Sequence, residues 1–94
     1  MQLRIYTIRK TIYEGETTRV TLPTAVGQVT ILDNHEPYVT ILRPGSLFYA
    51  AAVQSELPQS GVKSALRYEQ RTLPINGGFL EVREGNEVRI LADE

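Results

Sequence analysis

The sequence contains no cysteine and no tryptophan, one histidine and one methionine among 94 residues. Without cysteine there is neither a disulfide staple nor a thiolate metal site, which suits a cytosolic protein. One imidazole falls short of the two or three that a zinc centre usually takes, so His35 alone makes metal chemistry a poor expectation. The charge balance is equally spare: ten basic against eleven acidic residues, net −1, scattered rather than blocked. No basic stripe exists to meet nucleic acid or an anionic bilayer. No apolar run approaches a membrane span, and Met1 leads straight into a charged strand-like run with Arg4. Any membrane association therefore has to pass through a partner.

What the chain does have is β-formers: seven isoleucines, eight valines and nine threonines, with 41% hydrophobic residues overall. Leu3, Ile5 and Thr7 alternate with Arg4 and Tyr6, the period-2 pattern of a half-buried strand. Thr11–Tyr13, Thr18–Leu22, Gln28–Leu32, Tyr38–Leu42 and Leu47–Tyr49 read as further strands. Pro23 is expected to stop the third, because it has no ladder donor. Arg43-Pro44-Gly45-Ser46 is a turn signal. Phe79–Arg83 and Glu87–Leu91 flank Glu84-Gly85-Asn86 as a hairpin, with glycine available for a positive φ. Arg67–Leu73 reads as an edge strand. Ala50–Leu66 is expected to be a long, mobile hairpin loop, since Pro58 and Gly61 end any helix that Ala50-Ala51-Ala52 starts. Many short strands without helical periodicity imply one all-β domain, a β-sandwich or flattened barrel.

The candidate chemistry is thin. Asp33, His35 and Glu36 suggest a metal site or a general base, but neighbours on an extended chain point to opposite faces and do not converge. A corner histidine making a turn hydrogen bond is the better expectation. Gly77-Gly78 is no phosphate loop, because no helix follows to offer free amides; close backbone packing or a bulge accounts for it better. Glu81, Glu84 and Glu87 read as a solvated hairpin face rather than paired catalytic carboxylates.

Two blocks then carry a resemblance. Thr21-Leu22-Pro23-Thr24, Gly27, Ile31-Leu32, Asn34-His35, Pro37, Thr40, Leu42 and Pro44-Gly45 form the first. Gly77-Gly78-Phe79-Leu80-Glu81-Val82, Val88 and Ile90-Leu91-Ala92-Asp93 form the second. Together with Leu3-Arg4-Ile5 and Tyr13-Glu14-Gly15 they resemble the N-terminal domain of the ATP synthase epsilon subunit family, over nearly all of the chain except Ala50–Leu66. The resemblance implies a flattened ten-stranded β-sandwich over residues 1–94, without cofactor or catalytic residues. Implied too is a place in the central stalk, on the cytoplasmic face of the inner or plasma membrane. There the domain binds the gamma subunit and the ring of c subunits, coupling proton or sodium transport to ATP synthesis or hydrolysis. Gln28, Thr30, Asn34, His35 and Thr40 are the implied partner contacts.

Departures from the pattern are Ile8 and Asp33 where proline is common, Gln28 where an acid is frequent, and Val26 before Gly27, which costs that turn an Asx hydrogen bond. The family's motif usually leads on into a helical hairpin. With the sequence ending at Glu94, the expectation is a β domain without hairpin-based inhibition or an ATP site. The competing readings are a free-standing peptide- or carbohydrate-binding sandwich, which needs an aromatic platform not evident in sequence, and a small metal enzyme, which needs more histidines.

Overall fold

Leu3 and Ile5 are fully buried while Arg4 between them is exposed, so the alternation read at the N terminus is a real inside-outside pattern. The computed structural model describes residues 1–55 and 65–94. Nine strands run through them: β1 (Gln2–Tyr6), β2 (Thr11–Glu16), β3 (Arg19–Thr24), β4 (Gly27–Leu32), β5 (Tyr38–Leu42), β6 (Gly45–Ser55), β7 (Ala65–Ile75), β8 (Gly77–Arg83) and β9 (Glu87–Asp93). The all-β architecture matches the sequence reading, with nine described strands against the ten implied.

The strands follow the order β2-β1-β9-β8-β5-β3-β6-β7, with β4 on β3. All pairs are antiparallel except β1 with β9. The sheet curls where β3 changes partners. β4 pairs along all of β3, β6 pairs only Val20 and Thr21, and β5 only Thr24. That seam folds one continuous sheet into two layers: β2-β1-β9-β8-β5 and β4-β3-β6-β7.

The core lies between them. Cross-strand rows Ile5–Ile90–Leu80 and Leu3–Val88–Val82 line the first layer, and Val20, Leu22, Ile31 and Leu47 answer from the second. Each such side chain taken fully out of water contributes about 1.5–3 kcal/mol. Tyr13 ties the layers together. Its ring lies 5.1 Å from that of Tyr49, and its hydroxyl donates to the Glu16 carbonyl (2.6 Å) while accepting the Ala52 N–H (2.8 Å). Tyr13→Phe orphans both groups, so we expect a loss of about 1–3 kcal/mol. The check is a urea melt in which the midpoint falls at an unchanged slope.

Several boundaries differ from the sequence reading. Pro23 does not stop β3: its carbonyl accepts the Arg43 N–H (2.9 Å), and the strand runs on to Thr24. A proline lacks a donor but keeps its acceptor. Strand continues through residues 50–55 and 65–66, which the loop reading had claimed; the rest of that loop lies outside the described residues. β7 sits at the end of the strand order, the edge position expected for it. The turn before Gly27 keeps a side-chain bond after all. Thr24 Oγ1 donates to the Gly27 carbonyl (2.7 Å) and accepts the Val26 N–H (3.3 Å), replacing the missing acid.

Candidate functional site

The five residues implied as contacts do not share one face. Gln28 and Thr30 are exposed on the same side of β4, with Thr30 hydroxyl-bonded to Thr21 across the ladder (3.0 Å). Asn34 and His35 stand exposed at the corner between β4 and β5. Thr40 lies on the opposite side of its strand from Val39 and Ile41, and pairs with the buried Leu80. Edge, corner and inner face are three different directions.

His35 does what a turn residue does. Its Nδ1 lies 2.7 Å from the Glu36 carbonyl, and its ring is 6.0 Å from that of Tyr38. No cluster of three metal-ligating side chains occurs among the described residues. Asp33 points elsewhere, to the N terminus.

The outer face of the first layer carries a feature that the sequence reading did not isolate. Ile41 pairs with Phe79, Phe79 with Leu91, and Leu91 with Tyr6, so four outward side chains form one row across β5, β8, β9 and β1. Ile41 is 69% exposed, Phe79 40% and Leu91 38%. Val39, one pleat along, and Ile8, in the β1–β2 turn, are also exposed and apolar. Beside the row lies an open groove of about 590 Å³ between Ile8 and Arg9 on one side and Phe79 and Leu91 on the other. The next row outward is charged: Glu81, Arg89 and Arg4 follow Val39 in register. An apolar strip with a polar rim is the anatomy of a docking surface rather than of a reactive centre.

The signal was present in the parity of the second block. Leu80 and Val82 point inward, so Phe79 and Glu81 must point outward. What sequence could not supply was the register that sets Ile41 and Leu91 beside Phe79.

A family model described as the β-sandwich domain of the ATP synthase delta/epsilon chain matches residues 1–94. The chain belongs to this family. The match includes the 50–66 segment that the sequence resemblance had left uncovered. An ATP synthase epsilon chain of Herpetosiphon aurantiacus is 38% identical over 93 residues, covering 99% of this chain and 57% of the relative. The chloroplastic epsilon chain of Chlamydomonas reinhardtii is 32% identical, over 100% of this chain and 60% of its own. The chain thus spans less than two thirds of the length of these relatives.

Among solved structures, the Euglena gracilis mitochondrial ATP synthase assembly of OSCP, F1 and c-ring contains a chain with TM-score 0.75 and 25% identity, matched over 98% of this chain and 49% of that one. The central stalk and c-ring of the Tetrahymena thermophila mitochondrial enzyme contains one with TM-score 0.73 and 20% identity, over 100% and 63%, a likeness of fold alone.

In this delta/epsilon domain the titratable groups among the described residues that depart from their ordinary values sit at one corner. Burial disfavours the charged Met1 ammonium, but hydrogen bonds and charge from Asp33 and Glu16 outweigh it, so its pKa is raised above 8.0. The Asp33 carboxyl is held below 3.8, first by the bond from that ammonium, then by Asn86. The raised group contributes stability that is complete below pH 8.0 and lost as pH climbs through its folded value. The lowered group contributes stability present above pH 3.8 and lost as pH falls. We expect a plateau of thermal midpoint between these limits and a decline on both sides. Asp33→Asn should flatten both arms in the same pH scan.

Proposed function

We propose that this domain is the β-sandwich of a central-stalk subunit of a rotary ATP synthase, docking onto the gamma subunit and the ring of c subunits. In this role it has no catalytic step of its own. It is a stiff body that passes movement between ion translocation, of protons or sodium, and ATP synthesis or hydrolysis. Its membrane association is indirect, on the side of the coupling membrane where the catalytic head sits, which in a bacterium is the cytoplasmic face.

The observation that carries the reading is the exposed apolar row Ile41–Phe79–Leu91 on a doubly layered sheet, in a family whose solved neighbours come from ATP synthase stalk and ring assemblies. Two packed sheets resist shear because their interior is close-packed, and a flat apolar strip attaches without needing chemistry. We assign the strip, with Ile8 and Val39, to gamma. Gln28, Thr30, Asn34 and His35 lie at the strand edge and corner, the position suited to the ring, and Thr40 supports β5 from within.

Mixing the purified chain with the gamma subunit of the same genome tests this by size-exclusion chromatography and titration calorimetry. A one-to-one complex burying an area of standard size, roughly 1,600 Å², is the expected result. Absence of a complex at micromolar concentration sinks the proposal.

A further inference from the structure

Met1 is anchored at both of its polar ends and along its side chain. The ammonium meets Asp33 Oδ1 at 2.6 Å, the Thr17 carbonyl at 3.1 Å and Glu16 Oε2 at 3.4 Å. Its three protons thus face three acceptors, two from the end of β2 and the residue after it and one from the β4–β5 corner. The Met1 carbonyl accepts the Thr17 N–H at 3.0 Å, and the residue, 5% exposed, belongs to the core cluster.

The same network reaches the β4–β5 corner. Asn86 Nδ2 donates to Asp33 Oδ1 (3.4 Å), while Asn86 Oδ1 accepts the Asn34 N–H (2.7 Å). The Asn86 carbonyl takes the Gln2 N–H at 2.9 Å. Among the described residues, Asn34 and Asn86 are the two non-glycine residues with positive φ, at 59° and 61°. Asparagine enters that region more readily than other side-chain-bearing residues, and here both asparagines are also tied into the network. Asp33 is the joint of the network, and the ammonium is its strongest donor, because a charge-assisted bond is stronger than a neutral one.

We propose that the α-amino group of Met1 is a modification-sensitive site. The free ammonium locks the Asp33–His35 corner, and acylation of that nitrogen, by a formyl or acetyl group, unlocks it. Acylation by an activated acyl donor such as an acyl thioester forms an N–C bond to the acyl carbon and breaks the donor's C–S bond. Of the two protons the ammonium gives up, one leaves with the thiol and one passes to solvent, so two N–H donors and the positive charge are lost. The remaining amide N–H serves one acceptor of the three. Asp33 then faces an uncharged amide carrying a carbonyl oxygen of its own, and its hold on the N terminus is lost. The core side chain of Met1 stays where it is, so the effect is confined to the corner. Since Asn34 and His35 are among the residues assigned to ring contact, the state of the nitrogen sets the shape of a docking corner. The lock itself needs no partner to be observed.

The test uses the full chain, made with a free or an Nα-acetylated Met1, each in native and Asp33→Asn form. Amide hydrogen exchange is followed at Asn34 and His35, with Val20 and Ile90 as core references. Acetylation is expected to speed exchange at Asn34 and His35 by about tenfold and to leave Val20 and Ile90 unchanged. Asp33→Asn with a free amine is expected to do the same, and the two changes together to do little more than either, because both remove one ion pair. Unchanged protection on acetylation, or fully additive effects, overturns the proposal. Should the acetylated chain not fold, the Asp33→Asn chain decides: its side chain is 59% exposed in the native protein, so folding is retained, and unchanged protection at Asn34 overturns the lock.

Discussion

Gly78→Ala is expected to lower the unfolding midpoint by roughly 10–25 °C, the equivalent of about 2–4 kcal/mol in a domain of this size. A Cβ at this position overlaps the Leu91 carbonyl oxygen and lies 3.2 Å from the Ala92 Cα. Both obstacles are backbone of the paired strand β9, so no side chain can swing aside. The residue also has φ +150°, at the edge of the region that only glycine enters freely. Gly27→Ala is the matched control. It has φ +111° but nothing within 4 Å of the added carbon, so it carries the conformational cost alone, about 1 kcal/mol or somewhat more. Thermal melts of the two variants separate steric contact from φ strain. Equal midpoints would show that β9 yields to the extra methyl group and that Gly78 is not a packing requirement.

Replacing Ile41 and Leu91 together by aspartate is expected to weaken binding to gamma by about a hundredfold or more, while the domain stays folded. Both side chains flank Phe79 on the outer face, Ile41 largely and Leu91 partly open to water, so the cost to the free domain is the strand preference of each residue and the apolar contact Leu91 gives up, about 1–2 kcal/mol. In a complex the two carboxylates sit in the centre of a desolvated strip, where truncating one anchor commonly costs 2 kcal/mol or more and an unpaired charge costs further. Titration calorimetry with gamma, beside a circular-dichroism melt, reads both quantities. Retained affinity in the double variant would remove the strip from the interface. Thr40→Ala serves as comparison, because Thr40 points away from the strip and should leave affinity within a few-fold of native.

The contrast between these predictions shows what was legible in the residues themselves. Alternation at Leu3–Arg4–Ile5 and the Glu84-Gly85-Asn86 hairpin are local signals, and each appears where the spacing placed it; the Pro44-Gly45 signal marks a break between strands, but Gly45 and Ser46 already belong to β6. Pro23 misled because its lost donor is visible in sequence, whereas its carbonyl bond to Arg43 depends on a strand remote in the pairing. The alanines at 50–52 carry no strand signal of their own. They are strand because the β6–β7 ladder continues through them. Asp33 read as a residue standing where proline is common and as one of a trio with His35 and Glu36 that does not converge. Its partner, the Met1 ammonium, is 32 positions away in sequence, and no window-based reading connects the two.

The sequence by itself determined an all-β fold of the delta/epsilon family, without cysteine and with a single histidine, because strand periodicity, turn residues and composition are written locally. Only the tertiary structure decided which exposed residues stand together. Register across β5, β8, β9 and β1 assembles Ile41, Phe79, Leu91 and Tyr6 into a single strip, and curling of the sheet brings Met1, Asp33 and Asn86 to one corner. Pairing between strands is a long-range choice made by the whole core, and the surfaces of a sheet are consequences of that choice.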